Sequence, residues 1–360
     1  MNDNDNNDAS PADESLEPEH TGGDPPARSV PSSPVDEQED GVPPFEDRKT
    51  GLILLGVLQV AMGGFFAMML LFMAAMSAGG LARGPAPLDV RTMIPAMGIY
   101  GALAVVLVWL GFGSILARRW ARALTLVLAW MWFAVGLVSL LMMFVMGPGP
   151  FNVAGNGQAP PQMMMFQVIL FGTMGCIYVI LPGIYILFYQ SRHVKATCDY
   201  YDPHIRWTDK CPLPVLPLTL LLASGAFSMV FSASYGFVVP FFGVILKGVP
   251  GALVVLLISL LCAGLSWATF KLKMWGWWAT LVMYVLFGIS TVITFSRISM
   301  MDLYREMEFP AAQLEMLEKY GVAESKFMPV TVGVSVILMV GYLLWVRKYF
   351  VDGAAETTKS

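Results

Sequence analysis

Residues 51–77, GLILLGVLQVAMGGFFAMMLLFMAAMS, decide the fold. They contain no Asp, Glu, Lys or Arg. About 20 apolar residues cross the hydrocarbon core of a bilayer as a helix, so this run spans it with residues to spare. Seven more runs of the same kind follow, at Met93–Ala117, Ala123–Gly147, Met164–Gln190, Leu213–Tyr235, Lys247–Phe270, Trp275–Ser296 and Met328–Phe350. The reading is an all-α polytopic membrane helix bundle of eight transmembrane helices. Composition agrees. Of 360 residues, 56% are hydrophobic and 13% charged, with a mean hydropathy of +0.63. A soluble domain carries about 25% charged residues. A chain with half that supply cannot cover its surface with polar groups. Soluble enzyme, nucleic-acid binder and secreted disulfide scaffold are excluded as readings of the whole chain.

The net charge of −4 conceals an asymmetry. Residues 1–49 hold 14 acids against Arg28, Arg48 and Lys49, a net −11. Rich in Asn, Asp, Glu, Pro and Ser, this stretch lacks the apolar surface to offset its chain entropy and reads as a disordered acidic tail. It has no basic start and no early apolar core, so it does not read as a signal peptide. The remaining chain divides into a first four-helix unit (50–191), a connector loop (192–212), a second four-helix unit (213–351) with an outer amphipathic segment near 302–321, and a short tail (352–360).

Basic residues flanking the spans set the orientation. With the N-terminus inside, the inner segments hold 14 Lys or Arg and the outer segments 7. Both termini are therefore expected in the cytoplasm. The inner turns at Arg118, Arg119 and Arg122 and at Lys271 and Lys273 are expected to attract anionic headgroups and the acidic tail.

The two halves echo each other. LARRWARALTLVLAWMWFAVGLVS (116–139) parallels FKLKMWGWWATLVMYVLFGISTVI (270–293), and ILFYQSRHV (186–194) parallels YLLWVRKYF (342–350). Trp120 precedes Trp275 by 155 residues. Four spans per unit give both units one orientation, as in a parallel tandem repeat.

The spans hold no Asp, Glu, Arg or His at depth, whereas proton relays, cation pathways and voltage sensors place such groups there. No HExxH or GxGD occurs. Gln59 and Gln167 are the strongest polar groups in the spans, and the plainer reading of Gln59 is an interhelical hydrogen bond. Of 25 methionines, Met62, Met69, Met73 and Met76 share a face of the first span with Gln59. Others cluster at Met142, Met143 and Met146 and at Met163, Met164 and Met165. Thioethers suit Cu(I), but no outer His or Cys accompanies them, and gap-filling between helices is the plainer reading. Cys176 and Cys262 read as small core residues, and Gly63, Gly64, Gly111, Gly113 and Gly288 as points of close helix approach. FVVPFFGVILKGVPG (237–251) is apolar but broken by Pro and Gly. It reads as a helix extension, an interfacial loop or a short re-entrant element. MEFPAAQLEMLEKYG (307–321) reads as a short helix that starts after Pro310 and stops at Gly321.

The richest polar segment is the connector, SRHVKATCDYYDPHIRWTDKCPLPVL (191–216). Its candidate contact residues are Arg192, His193, Cys198, His204, Arg206, Trp207 and Cys211. Two Cys and two His can close a tetrahedral zinc site, but the spacing lacks a tight Cys-x2-Cys knuckle. No metal, cofactor or catalytic set is assigned. Basic residues alternate with Asp199, Asp202 and Asp209, which reads either as a contact surface for lipid headgroups or a protein, or as a self-satisfied linker.

The stretch FYQSRHVKATCDYYDPHIRWTDKCPLPVL (188–216) resembles a segment of uncharacterised bacterial multipass membrane proteins. The resemblance implies a bacterial inner membrane and carries no activity. The functional expectation is a membrane bundle that binds lipid or a protein partner, with no catalytic machinery and no nucleic acid. The alternative is a transporter or channel for an uncharged or amphiphilic solute. A third reading, an interfacial lipid enzyme, would rest on His193, His204, Cys198 and the connector aspartates.

Overall fold

The computed structural model describes residues 46–78, 90–146, 161–319 and 327–357. The acidic tail to residue 45, Arg83, Gly321 and Lys326 lie outside them, as do the side chains of Met142, Met143, Met146, Met163, Met164 and Gln167. The chain is an all-α polytopic bundle with eight helical spans. The first four spans are α1 (Lys49–Ala78), α2 (Val90–Ile115), α3 (Arg119–Met146), and α4 (Pro161–Gly175) continued through a π-helical turn (Cys176–Ile180) into α5 (Leu181–Gln190). A connector helix α6 (Arg192–Tyr201) and a 3₁₀ turn (Trp207–Lys210) lead to the second four. These are α7 (Leu216–Ser228) with a 3₁₀ extension to Tyr235, α8 (Gly248–Phe270), α9 (Met274–Arg297) and α12 (Phe327–Thr357), with the short α10 (Met300–Glu306) and α11 (Ala311–Lys319) before the last.

Only 17–33% of each span's apolar window is buried within the protein. Leu54, Leu71, Val105 and Leu187 are 69–77% exposed. Apolar surface on that scale is covered by acyl chains in a membrane protein.

Two buried clusters organise the interior. One joins Leu52 and Leu55 of α1, Leu126 and Ala129 of α3, Tyr185 and Tyr189 of α5, and Val194 and Cys198 of α6. The other joins Leu110 of α2 and Leu124 and Val127 of α3 to Leu218 and Leu222 of α7, Trp277 of α9, and Leu343 and Phe350 of α12. Helix α3 therefore serves both clusters and fills the seam between the halves.

Both halves close their second and third spans with the same turn. Ala117 adopts φ +51° and Leu272 φ +53°. Ala117 N–H donates to Ser114 O and Arg118 N–H to Gly113 O, both at 2.9 Å. Leu272 N–H donates to Thr269 O and Lys273 N–H to Ala268 O, both at 3.0 Å. This pairing of orphan carbonyls with a left-handed residue is the Schellman motif. Behind it, a Cβ on Gly113 would meet Ala121 Cβ at 2.5 Å, and one on Gly276 would meet Ala268 Cβ at 2.7 Å. Either arrangement leaves room for one methyl between the helices.

In segment 237–251, residues 239–246 form a β-hairpin and Gly248–Gly251 open α8. Val239–Phe241 pairs antiparallel with Val244–Leu246. Phe242 and Gly243, at φ +45° and +85°, form the tip, with the positive φ values that tight hairpins need. Phe242 N–H donates to Ser290 Oγ at 3.0 Å and Gly243 N–H to Thr294 Oγ1 at 2.9 Å, so the tip is satisfied by α9. Pro240 and Gly243 disfavour a helix here, and the Val, Ile and Phe around them favour strands. Cys176, expected in the core, is exposed on the π-helical turn, while Cys262 is buried.

Candidate functional site

The connector forms the polar end of the bundle. Ser191, at ψ 138°, breaks the helical path after α5 and turns α6 back across the start of α3. The strongly amphipathic sequence RHVKATCDYY explains the docking. Val194, Thr197 and Cys198 face inward and are buried, while Arg192, Lys195 and Tyr200 are exposed. The start of α1 is tied to the same helix: Arg48 N–H donates to Thr197 Oγ1 at 3.1 Å, and Tyr201 O–H donates to Asp47 at 3.2 Å. Lys49 Nζ sits 4.2 Å from the centroid of the Tyr201 ring. Residues 46–49, read as the end of the tail, thus pack on α6.

Asp202 is the centre of the site. Its side chain is fully buried. Arg206 donates to both carboxylate oxygens, Nη2 at 2.9 Å and Nε at 3.2 Å. Arg118 lies 3.6 Å away, and Arg119 N–H donates at 3.4 Å. Burial alone would raise the Asp202 pKa. The hydrogen bonds from Arg206 and Arg119, with the charges of Arg206 and Arg118, outweigh it and hold the carboxyl below its ordinary 3.8. Arg119 also pairs with Asp199 at 2.8 Å and Asp209 at 3.7 Å. Arg122 donates from Nε to the Tyr189 carbonyl at 3.1 Å, so the whole basic turn is occupied. The expectation that Arg118 and Arg119 stand open to headgroups and tail is corrected: acids of the connector neutralise them, because α6 folds over that turn.

The candidate residues separate into different environments. Cys198 lies in the cluster beneath α6 and Cys211 in the seam cluster. Burial pushes both thiols up to about 12. His193 is half-buried, His204 and Arg192 are exposed, and Trp207 stands 6.1 Å from the Phe270 ring. Among the described residues, no group of three or more Cys, His, Asp or Glu converges as metal ligands would. Of the sequence candidates, only Arg206 enters the ion-pair cluster. Asp202, Arg118 and Arg119 were not singled out as its members. The signal in the sequence is three aspartates in the connector and a basic turn, Arg118, Arg119 and Arg122, with no acid of its own.

A second polar feature lies inside the first half. Gln59 is 2% exposed, and its Nε2 donates to Thr125 Oγ1 at 3.4 Å across α1 and α3. Its Oε1 is buried and has no hydrogen-bond partner among the described residues. Gln59, Met62, Leu107, Thr125, Trp132 and Tyr185 line a cavity of about 20 Å³, room for one water. The interhelical hydrogen bond expected of Gln59 is present.

Comparison with protein-family models, curated proteins and solved structures finds no match to the chain.

Proposed function

We propose that the protein is a binding bundle of the bacterial inner membrane that engages lipid or a protein partner and performs no catalysis. One observation carries this reading: the seam between the halves is filled by Leu110, Leu124, Val127, Leu218, Leu222 and Trp277, all buried. A solute pathway between repeats needs room at that seam. The connector supports the same reading, because its acids are committed to Arg118, Arg119 and Arg206 and its thiols are protonated at neutral pH. The excess of basic residues at the connector end supports a cytoplasmic location for that end and for both termini.

We also infer that the two halves descend from one duplicated four-helix unit. The matched Schellman turns support it, as does a second correspondence. Arg122 donates to the Tyr189 carbonyl, and Trp277, 155 residues later, donates its indole N–H at 2.8 Å to the Leu343 carbonyl, 154 residues after Tyr189. The duplication is what favours the transport alternative.

Native mass spectrometry of the protein purified from its own membrane tests the reading. Retained lipid or a stoichiometric protein partner is the expected result. A retained small solute, with neither lipid nor partner, would replace binding by transport.

A further inference from the structure

The duplicated turns differ in what covers them. In the first half, Ser191 turns the chain so that the connector lies over residues 117–122, where α6 supplies Asp199, the residue after it Asp202 and the 3₁₀ turn Asp209. In the second half, α12 runs on without a break to Thr357, and among the described residues no segment folds back over residues 271–277. Among the described residues, the equivalent turn keeps its positive charge without an ion pair. Lys271, Lys273 and Arg347 are exposed, and among the described residues none of them has an ion-pair partner. Position 352, the next acid along α12, stands roughly 140° around the helix from 347.

Aromatic rings frame these charges. Arg347 Cζ lies 5.5 Å from the Trp277 ring and 5.9 Å from Trp278, and Lys273 Nζ lies 5.3 Å from Trp267. Trp267, Trp275 and Trp278 are 50–54% exposed. A guanidinium stacked on a ring uses its face and keeps its edge N–H groups for an anion. Exposed tryptophans at a span end sit at headgroup depth.

We propose that the rim formed by Lys271, Lys273 and Arg347 binds the phosphate of an anionic phospholipid headgroup, with Trp267, Trp275 and Trp278 against its glycerol and upper acyl region. The unsatisfied charge and the aromatic collar together select lipid over the acidic tail of this chain, which has charge but almost no large apolar residues to lay on the rings. The proposal rests on the lipid-binding reading above and specifies its site and headgroup.

The test reconstitutes the full chain in phosphatidylcholine vesicles doped with brominated phosphatidylglycerol or, in parallel, brominated phosphatidylcholine, and reads tryptophan quenching. The wild type should show preferential quenching by phosphatidylglycerol. Lys271→Gln/Lys273→Gln/Arg347→Gln should lower that preference at least about fivefold, given about 1 kcal/mol per basic residue at an anionic surface. Lys271→Gln/Lys273→Gln, which alters only exposed side chains of the turn, should lower it in the same direction, and Lys271→Arg/Lys273→Arg should keep it. Equal quenching by the two lipids in the wild type would overturn the proposal, as would a preference unchanged in the Gln variants. A preference that emerges only after deletion of residues 2–45 would show that the tail occupies the rim, and would overturn it as well. Loss of this site while lipid is still retained in native mass spectrometry leaves the broader binding reading standing.

Discussion

Asp202 and Arg206 face each other through two hydrogen bonds, 2.9 and 3.2 Å, around a carboxylate with no solvent exposure. Four residues apart, they sit outside any helix. Their contact is held by the basic turn below, where Arg118 and the Arg119 N–H complete the coordination of the carboxylate. The relationship joins three segments: the end of α2, the start of α3 and the connector.

Asp202→Ala should therefore destabilise the protein by about 2–3 kcal/mol, the range for losing charge-assisted hydrogen bonds at a buried carboxylate. Arg118 and Arg206 are partly exposed and can turn to water, which keeps the loss from being larger. Thermal melts in detergent measure it. A variant that melts with the wild type would show that α6 is held by its apolar face alone.

The same carboxylate fixes a pH dependence. Its folded pKa is below the ordinary 3.8, so its contribution is full above that value and is lost as the pH falls through the folded value. The melting difference between wild type and Asp202→Asn should be constant from neutral pH to about pH 5 and shrink below about pH 4. A difference that changes across the neutral range would assign the effect to another group.

Cys198 and Cys211 should resist maleimide in the folded protein at neutral pH and react after denaturation, because the thiolate is the reactive form and burial holds both thiols near 12. Orientation therefore needs an exposed reporter. His204→Cys should label readily in detergent and escape a membrane-impermeant reagent in intact cells. Labelling of that variant from outside would invert the proposed topology.

Helices α1 and α2 meet through glycines. A Cβ on Gly111 would lie 2.6 Å from Val60 Cγ2 and 2.8 Å from the Gly56 carbonyl oxygen. Because the second obstacle is backbone, the helices would have to separate. Gly111→Leu should cost about 1–3 kcal/mol, while Gly64→Ala, with nothing within 4 Å, should be tolerated. Equal melting temperatures for the two variants would remove the close approach as the basis of this pairing.

Gln59→Met tests the cavity. The amide makes one long hydrogen bond and leaves Oε1 unpaired, so an apolar side chain of similar volume should leave stability within about 1 kcal/mol of wild type. A loss of several kcal/mol would mean that a water in the cavity completes a network worth keeping.

The sequence by itself determined the eight spans. A membrane helix satisfies its backbone hydrogen bonds within its own segment, so apolar length is a local property and can be read in one dimension. The hydrogen bond of Gln59 was legible for a related reason: an amide at membrane depth has few alternatives to a neighbouring helix. The helix after Pro310 followed from local punctuation and forms as Ala311–Lys319. Only the tertiary structure decided the rest. Hydropathy made residues 237–251 ambiguous, and the hairpin exists because Ser290 and Thr294, about 50 residues away, accept its tip. Cys176 has a core-like composition around it, yet its place on the π-helical turn exposes it. The connector's aspartates and the α2–α3 arginines were visible as opposite charges. That they pair depends on a break at Ser191 that carries Asp202 to a backbone amide 83 residues earlier in the chain. Charge in sequence gives the supply of partners. Which of the two basic turns receives them depends on where the chain bends, and that is settled only when the helices pack.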